Sequence, residues 1–477
     1  MKHRVEPVDE GGIPCGWWGW TKLSGVPSPV LLLVPVLFAT APTHVELVFG
    51  GDVIPHGEVK TVARLHARNG AESPEGGPAP SLNNDGWDHV FGPIADVLRT
   101  ADIGVLNLET PVTDNKKAVT RELLFNAPSS MAKAMARAGV KVVSTGNNHA
   151  RDQLPTGLVE TLRHLDAVGL RHTGTGATKD AAWEPVFMDV RGMKVGFLSF
   201  TRWLNGFSNP KDAEAPHVAF VPYPQHRFHR GLTTDEVTQK VRELSAQCDA
   251  LVVLVHWGVE YADSPHPDDR ELGQALLDAG ALVVVGHHPH VLQPLEGYTT
   301  ADGRRGLIAF SLGNLVANQD RFYLHAPKPK KGVAGDKRDS MLLRVSLTRP
   351  SPKAPVVLGD VAVLPVWIEN NAVGRKRKET RNIQPVLIDR ELEAVTERLA
   401  TLAARPAPQD KETKEERAEL ERRLDGSRHR RERILRMLPE GFAVASPALR
   451  QRATAYVPPA YVPPVYAPTV VAEPAGP

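Results

Sequence analysis

Short apolar runs that stop abruptly at Asp, Glu, Asn or His recur along the first two thirds of the chain. Residues 45–49 lead into Gly50-Gly51-Asp52-Val53-Ile54-Pro55-His56-Gly57, 103–106 into Asn107-Leu108-Glu109-Thr110-Pro111, and 142–144 into the stretch Gly146-Asn147-Asn148-His149-Ala150-Arg151-Asp152. Residues 251–255 lead into His256-Trp257-Gly258-Val259-Glu260-Tyr261, and 282–285 into Gly286-His287-His288-Pro289-His290-Val291-Leu292-Gln293. Runs this short and rich in β-branched residues read as strands buried on both faces, the habit of a parallel sheet. Between them the period changes. Segments 129–138, 155–168, 233–247 and 268–279 space their apolar residues by three and four, as at Leu158, Leu162 and Leu165, which predicts helices long enough for βαβ crossovers. Thr233 or Thr234 stands where a side chain caps the third of these.

Further on, 341–347 and 356–367 alternate or run apolar and read as strands completing a second sheet, while the Gly- and Pro-rich stretches 69–86 and 326–339 read as loops. The expectation is an α/β fold, an αββα sandwich. Residues 391–404 carry Leu392, Val395, Leu399 and Leu402 on one face and read as a helix packed on the core. Residues 411–438, charged and with sparse apolar positions, read as a solvated helix or a weak pairing surface.

Composition divides the chain. At 477 residues it exceeds one compact core, which stops growing near about 250–300 residues. Residues 44–370 form the globular domain, 371–440 a charged helical extension, and 441–477 a Pro-rich disordered tail repeating Tyr-Val-Pro-Pro at 456 and 461, of extended polyproline type. Residues 1–43 contain an apolar run, 26–41, broken by Pro27, Pro29 and Pro35 and preceded by Lys22. It is shorter than the ~20 residues of a spanning helix and fits the apolar core of a signal peptide. Ala39-Thr40-Ala41 is a small-residue cleavage site, though Pro42 behind it opposes cleavage, so the segment is either removed on export or kept as a membrane anchor. A cytosolic protein, with the run an artefact of start-site choice, is the alternative. Cys15 and Cys248 give no evidence of compartment if the first lies in a signal segment. The balance of 57 Lys plus Arg against 55 Asp plus Glu argues for no nucleic-acid partner. The basic clusters 328–331 and 375–378 read as solvated loops, with contact to an anionic polymer or lipid headgroup left open.

Open α/β sheets bind ligands at the carboxyl ends of their strands. Five such ends on one sheet edge would set carboxylates, an amide and imidazoles in one cleft, the donor set of a dinuclear metal centre. In an extended segment after residue 285, side-chain alternation would bring His288 and His290 to one side and turn His287 away. Asp152 reads as the cap of the helix that begins near Pro155, or else as an orienting partner of His149.

The order of these motifs resembles the metallophosphatase-like (calcineurin-like) superfamily. Their wording, together with Phe310-Ser311-Leu312-Gly313-Asn314, resembles the CapA family of capsule or poly-γ-glutamate synthesis proteins over about residues 44–370. That resemblance implies two divalent metal ions, Mn, Fe, Zn or Mg. It assigns Asp52, His56 and His290 to one ion, Asn148, His256 and His288 to the other, Glu109 to the bridge, and His149 to the leaving group. Two positions depart from the superfamily: His56 lies three residues beyond the place of the Asp-x-His histidine, and Glu109 stands where Asp is usual. The implied role is capsule or poly-γ-glutamate biosynthesis with a metal-dependent hydrolase-type site for a phosphoester or γ-glutamyl amide. The implied partners are an anionic polymer, such as poly-γ-glutamate or another capsule component, and a membrane synthesis complex. An exported or cytosolic metallophosphoesterase unrelated to capsule, and a non-catalytic polymer-binding component, are the alternatives.

Overall fold

Two twisted sheets with a shared apolar core position everything else. The computed structural model describes residues 41–69, 85–115, 123–226, 230–322, 336–372, 380–404 and 410–438. The segment read as a signal up to residue 40, both basic clusters, the Pro-rich tail and most of the two long loops lie outside them. Across the first sheet the strands run Ile383–Leu387, Val357–Asn370, Asp339–Arg349, Thr43–Val53, Ile103–Leu108, Val140–Ser144 and Arg171–Thr173, with Asn314–Val316 added beside the end of Thr43–Val53. Across the second they run Leu292–Thr299, Arg305–Leu312, Val283–His287, Ala250–His256, Met193–Thr201 and Val186–Val190. The centre of each sheet is parallel, as the continuous apolar runs require. Helices Ser129–Ala138 and Pro267–Asp278 make two of the crossovers.

Alternation along Thr43–Val53 explains the layering. Leu47 and Phe49 point between the sheets, where they meet Phe197, Leu254 and Val285. Val48 points outward onto Phe91, Ile94 and Met131. On the far face of the second sheet Val253 and Val284 pack with Val241 and Leu276. The mixed α/β fold anticipated from the motifs is therefore present, and truncating a side chain of the shared core such as Phe197 costs about 3–5 kcal/mol. Helix ends follow local rules. Thr233 accepts from Glu236 N at 3.2 Å while the Glu236 carboxylate accepts from Thr233 N at 2.7 Å, a reciprocal cap. Ser129–Ala138 ends on Gly139 at φ +104, where a Cβ would lie 2.6 Å from Arg99 N.

Three expectations need correction. The strands after residue 339 complete the first sheet, not the second: Asp339–Arg349 pairs antiparallel with Thr43–Val53, and Val357–Asn370 with Asp339–Arg349. Alternation fixes the face a residue occupies but not which strand lies beside it. For the same reason the five motif strands divide between two sheets, three in the first and two in the second, and their ends meet across the gap. Third, the charged helix Lys411–Leu435 is docked rather than merely solvated. Arg430 is 3% exposed and pairs with Asp339, as does Arg433, while Arg423 lies 2.8 Å from Glu391 and 3.2 Å from Glu369. Ile388–Ala403 precedes it as a helix with Val395 and Leu402 buried, as its apolar face requires. Among the described residues no helix is long and apolar enough to cross a membrane.

Candidate metal centre

Glycines make the convergence possible. A Cβ at Gly51 would fall 1.9 Å from Gly313 O, where Asn314–Val316 comes alongside, and one at Gly286 would fall 2.1 Å from Phe310 O. With those positions bare, Asp52 reaches the end of its strand opposite Val283–His287. His288 and His290 then lie not in an extended segment but in a turn, with φ of +100 and +59, a conformation L-residues adopt only when the surroundings impose it. The turn, not strand alternation, aims both rings. Asn314 helps to hold it: its Nδ2 lies 3.1 Å from His290 O and 2.9 Å from Lys337 O. His287 does turn away, its Nε2 3.3 Å from Gly50 O.

Side-chain atoms able to hold a metal ion gather into overlapping groups, each within 4.8 Å: Asp52, Glu109 and His290; Glu109, His256 and His288; and Glu260, His288 and His290. Glu109 Oε1 stands 3.5 Å from His256 Nε2 and 3.8 Å from His290 Nε2, so it sits between the first two. Asn148 Oδ1 lies 2.8 Å from the same His256 Nε2. Asp52 Oδ1 accepts from Asn107 Nδ2 at 2.8 Å and Oδ2 faces His290 Nδ1 at 3.1 Å. His56 is not brought into these groups; its Nδ1 accepts from Asn318 N at 3.2 Å, and its ring packs edge-on against Phe125.

The electrostatics fit a cation. Burial alone would raise Asp52, but the hydrogen bond from His290 and the neighbouring charges of His290 and His287 bring it below the usual carboxylate range. Glu109 is driven far the other way, by burial first and then by Asp52, Glu260 and Asp152. Burial also lowers His256 and takes His288 to about 3 and His56 to about 4, which leaves these imidazoles neutral with lone pairs to give. Both oxygens of Glu109 and Nδ1 of His288 are buried without a hydrogen-bond partner. A wholly enclosed carboxylate with no donor is costly, and divalent ions among these oxygen and imidazole donors would remove that cost.

At the rim, His149 Nδ1 and Asp152 Oδ2 are 2.8 Å apart, and Asp152 also accepts from Phe125 N at 2.7 Å. Asp152 therefore orients His149 and does not cap the helix, which starts at Leu154 behind Gln153 with no side-chain cap. Sequence reasoning missed three contributors. Glu260 sits inside a motif already singled out, four residues after His256, and that spacing was a usable signal. Asn107 likewise lies within the Glu109 motif. Asn205 carries no signal: it sits at φ +48 in an irregular loop, accepts from Asn148 Nδ2 at 3.1 Å and lies 3.5 Å from His149 Nε2. Behind His256, buried Arg202 and Tyr223 converge on Asp269 at 2.9 Å each, and Tyr223 accepts from Gly258 N at 2.7 Å, fixing the turn after the histidine.

Comparison with known proteins adds to this geometry. A family described as bacterial capsule synthesis protein PGA_cap matches residues 46–319, more than half of the chain. A capsule biosynthesis protein CapA of Bacillus anthracis is 28% identical over 50% of this chain and 56% of its own length. A PGA biosynthesis protein CapA of Bacillus subtilis is 30% identical over 49% of this chain and 58% of its own. A probable polyglutamine synthesis accessory protein of Mycobacterium tuberculosis is 27% identical over 44% and 56% respectively. The chain thus spans little more than half the length of these relatives.

Proposed function

The chain belongs to the bacterial capsule synthesis protein family, and from that premise we propose that its cleft is a dinuclear divalent-metal centre of hydrolase type acting on a capsule polymer of γ-linked glutamate. One observation carries the reading: Glu109, wholly enclosed and with both oxygens unpartnered, stands between Asp52 with His290 and His256 with His288. Asp52, Glu109 and His290 would hold one ion, and Glu109, Asn148, His256 and His288 the other. Ions bound there supply positive charge against an anionic substrate and polarise the bond to be cut.

The chain's own groups do the rest. Asp152 accepts the Nδ1 proton of His149 and leaves Nε2 facing the cleft, where the imidazolium form would give its Nε2 proton to the departing nitrogen of an amide or oxygen of an ester and return to the neutral ring. Asn205 holds Asn148 so that its oxygen faces His256. Enclosure of Glu109 and Asp52 keeps bulk water from competing for the donors. The capsule polymer lies outside the cytoplasm, so the reading carries export through residues 1–43 with it.

The test is turnover by the full chain loaded in turn with Mn, Fe, Zn or Mg, against poly-γ-glutamate and a simple phosphodiester. The expected result is metal-dependent shortening of the polymer, reduced about 10²–10⁴-fold in His149→Ala with metal content unchanged. A metal-loaded protein that binds the polymer and cleaves neither substrate overturns the hydrolase and leaves a polymer-binding component.

A further inference from the structure

Beside the metal cleft lies a second concavity, a cavity of about 290 Å³ whose walls include Lys179, Trp183, Lys211, His217, Phe220 and Arg230. Lys179, Lys211 and Arg230 are exposed at its mouth, while Trp183 and Phe220, 7% and 3% exposed, form an apolar floor. Among the described residues no carboxylate lines it, although Asp180, Asp212 and Glu214 are close in sequence. Glu236 lies within electrostatic reach of Lys179, yet three cations around one apolar floor outnumber it and, with no acid among the described walls, form a local positive field in a chain whose charges nearly balance.

The cavity is mechanically tied to the metal cleft on two sides. Arg202 N donates to His256 O at 2.8 Å; the same loop then places Asn205 against Asn148 and His149. It reaches the cavity wall at Asn209, which exchanges hydrogen bonds of 2.8 and 3.0 Å with Val218. The four residue steps from Asn205 to Asn209 span at most about 14 Å. On the other side Arg151, two residues after His149, donates to Pro216 O at 3.2 Å, next to His217. The two concavities therefore keep a fixed spacing that a flexible polymer of a few repeat units can bridge.

We propose that this cavity is an accessory subsite for a carboxylate-bearing chain, gripping a free carboxylate a few repeats away from the bond held at the metal centre. Arg230 offers a planar fork for a carboxylate, and the two lysines act as mobile point charges. Trp183 and Phe220 accept the methylene portion of the same repeat unit. The assignment of the polymer rests on the function proposed above; the preference for carboxylates rests on the cavity itself.

Titration calorimetry of the full chain with a γ-linked glutamate oligomer, at low and high salt, tests it. Lys211→Glu combined with Arg230→Glu, both on the surface, is expected to weaken binding by roughly tenfold and to flatten its salt dependence, with metal content and thermal midpoint unchanged. His256→Ala with His288→Ala is expected to lose metal yet keep most of the oligomer affinity. No binding by the parent, equal affinity in the charge-reversed variant, or equal binding of the oligomer with its carboxyls amidated overturns the subsite. Loss of affinity only in the metal-site variant also overturns it while sparing the hydrolase reading. Retained affinity with no turnover under any metal sinks the hydrolase and leaves the subsite standing.

Discussion

Asn147 and Asn148 are adjacent, identical in side chain and opposite in use. Asn147 Nδ2 donates to Leu108 O at 2.8 Å and its Oδ1 accepts from His149 N at 3.2 Å, so it stitches two strand ends together. Asn148 turns its oxygen to His256. Asn148→Ala is therefore expected to lose bound metal with little change in folding. Asn147→Ala should leave a buried carbonyl unsatisfied and cost about 1–3 kcal/mol; metal analysis beside denaturant unfolding separates the two. The opposite pattern would put the donor one residue earlier. At this scale the sequence already placed Asp52, Glu109, Asn148, His256, His288 and His290 in one cleft, because each stands at or just beyond the end of an apolar strand and those ends converge. The surroundings of His56, and the choice between the two roles open to Asp152, were not legible. The partner of His56 is Asn318, 262 residues away, and the partner of Asp152 depends on how late the next helix starts.

Secondary elements were legible wherever one period dominated. Ser129–Ala138, Leu154–Ala167, Thr234–Ser245 and Pro267–Asp278 start and end within about two residues of their apolar patterns. Trp87–Thr100 was not picked out although Trp87, Val90, Phe91, Ile94, Val97 and Leu98 form a buried stripe at three- and four-residue spacing; Pro93 inside it argues against a helix when the sequence is read alone. Lys411–Leu435 was read by its charge, yet its charge is what docks it. Arg430 and Arg433 both pair with Asp339, but Arg430 is 3% exposed in its side chain and Arg433 32%. Arg430→Met is accordingly expected to cost about 3 kcal/mol, the low end for a broken buried pair because Arg433 still faces the carboxylate. Arg433→Met should cost about 1 kcal/mol or less. Shifts of the denaturant midpoint measure both, and equal effects would contradict the docking described.

For the whole molecule, alternating apolar strands and amphipathic segments were enough to anticipate α/β, and the motif order was enough to anticipate the family. The partition of strands between sheets was not, since it depends on contacts between segments some 300 residues apart, such as Thr43–Val53 with Asp339–Arg349. Asp339–Arg349 lies beyond the 46–319 family match yet hydrogen-bonds directly to the strand that carries Asp52. Function at this scale also depends on where the chain works. Residues 1–60 fused to a reporter active only after export are expected to give signal; a cytosolic, uncleaved and membrane-free fusion would favour a phosphoesterase unconnected with capsule. The most direct test of the central claim is elemental analysis of the purified full chain beside His256→Ala with His288→Ala. The account predicts up to two divalent ions per chain in the parent and their loss in the variant, with unchanged circular dichroism. Equal metal content in the two proteins, or none in the parent after incubation with divalent ions, would contradict it.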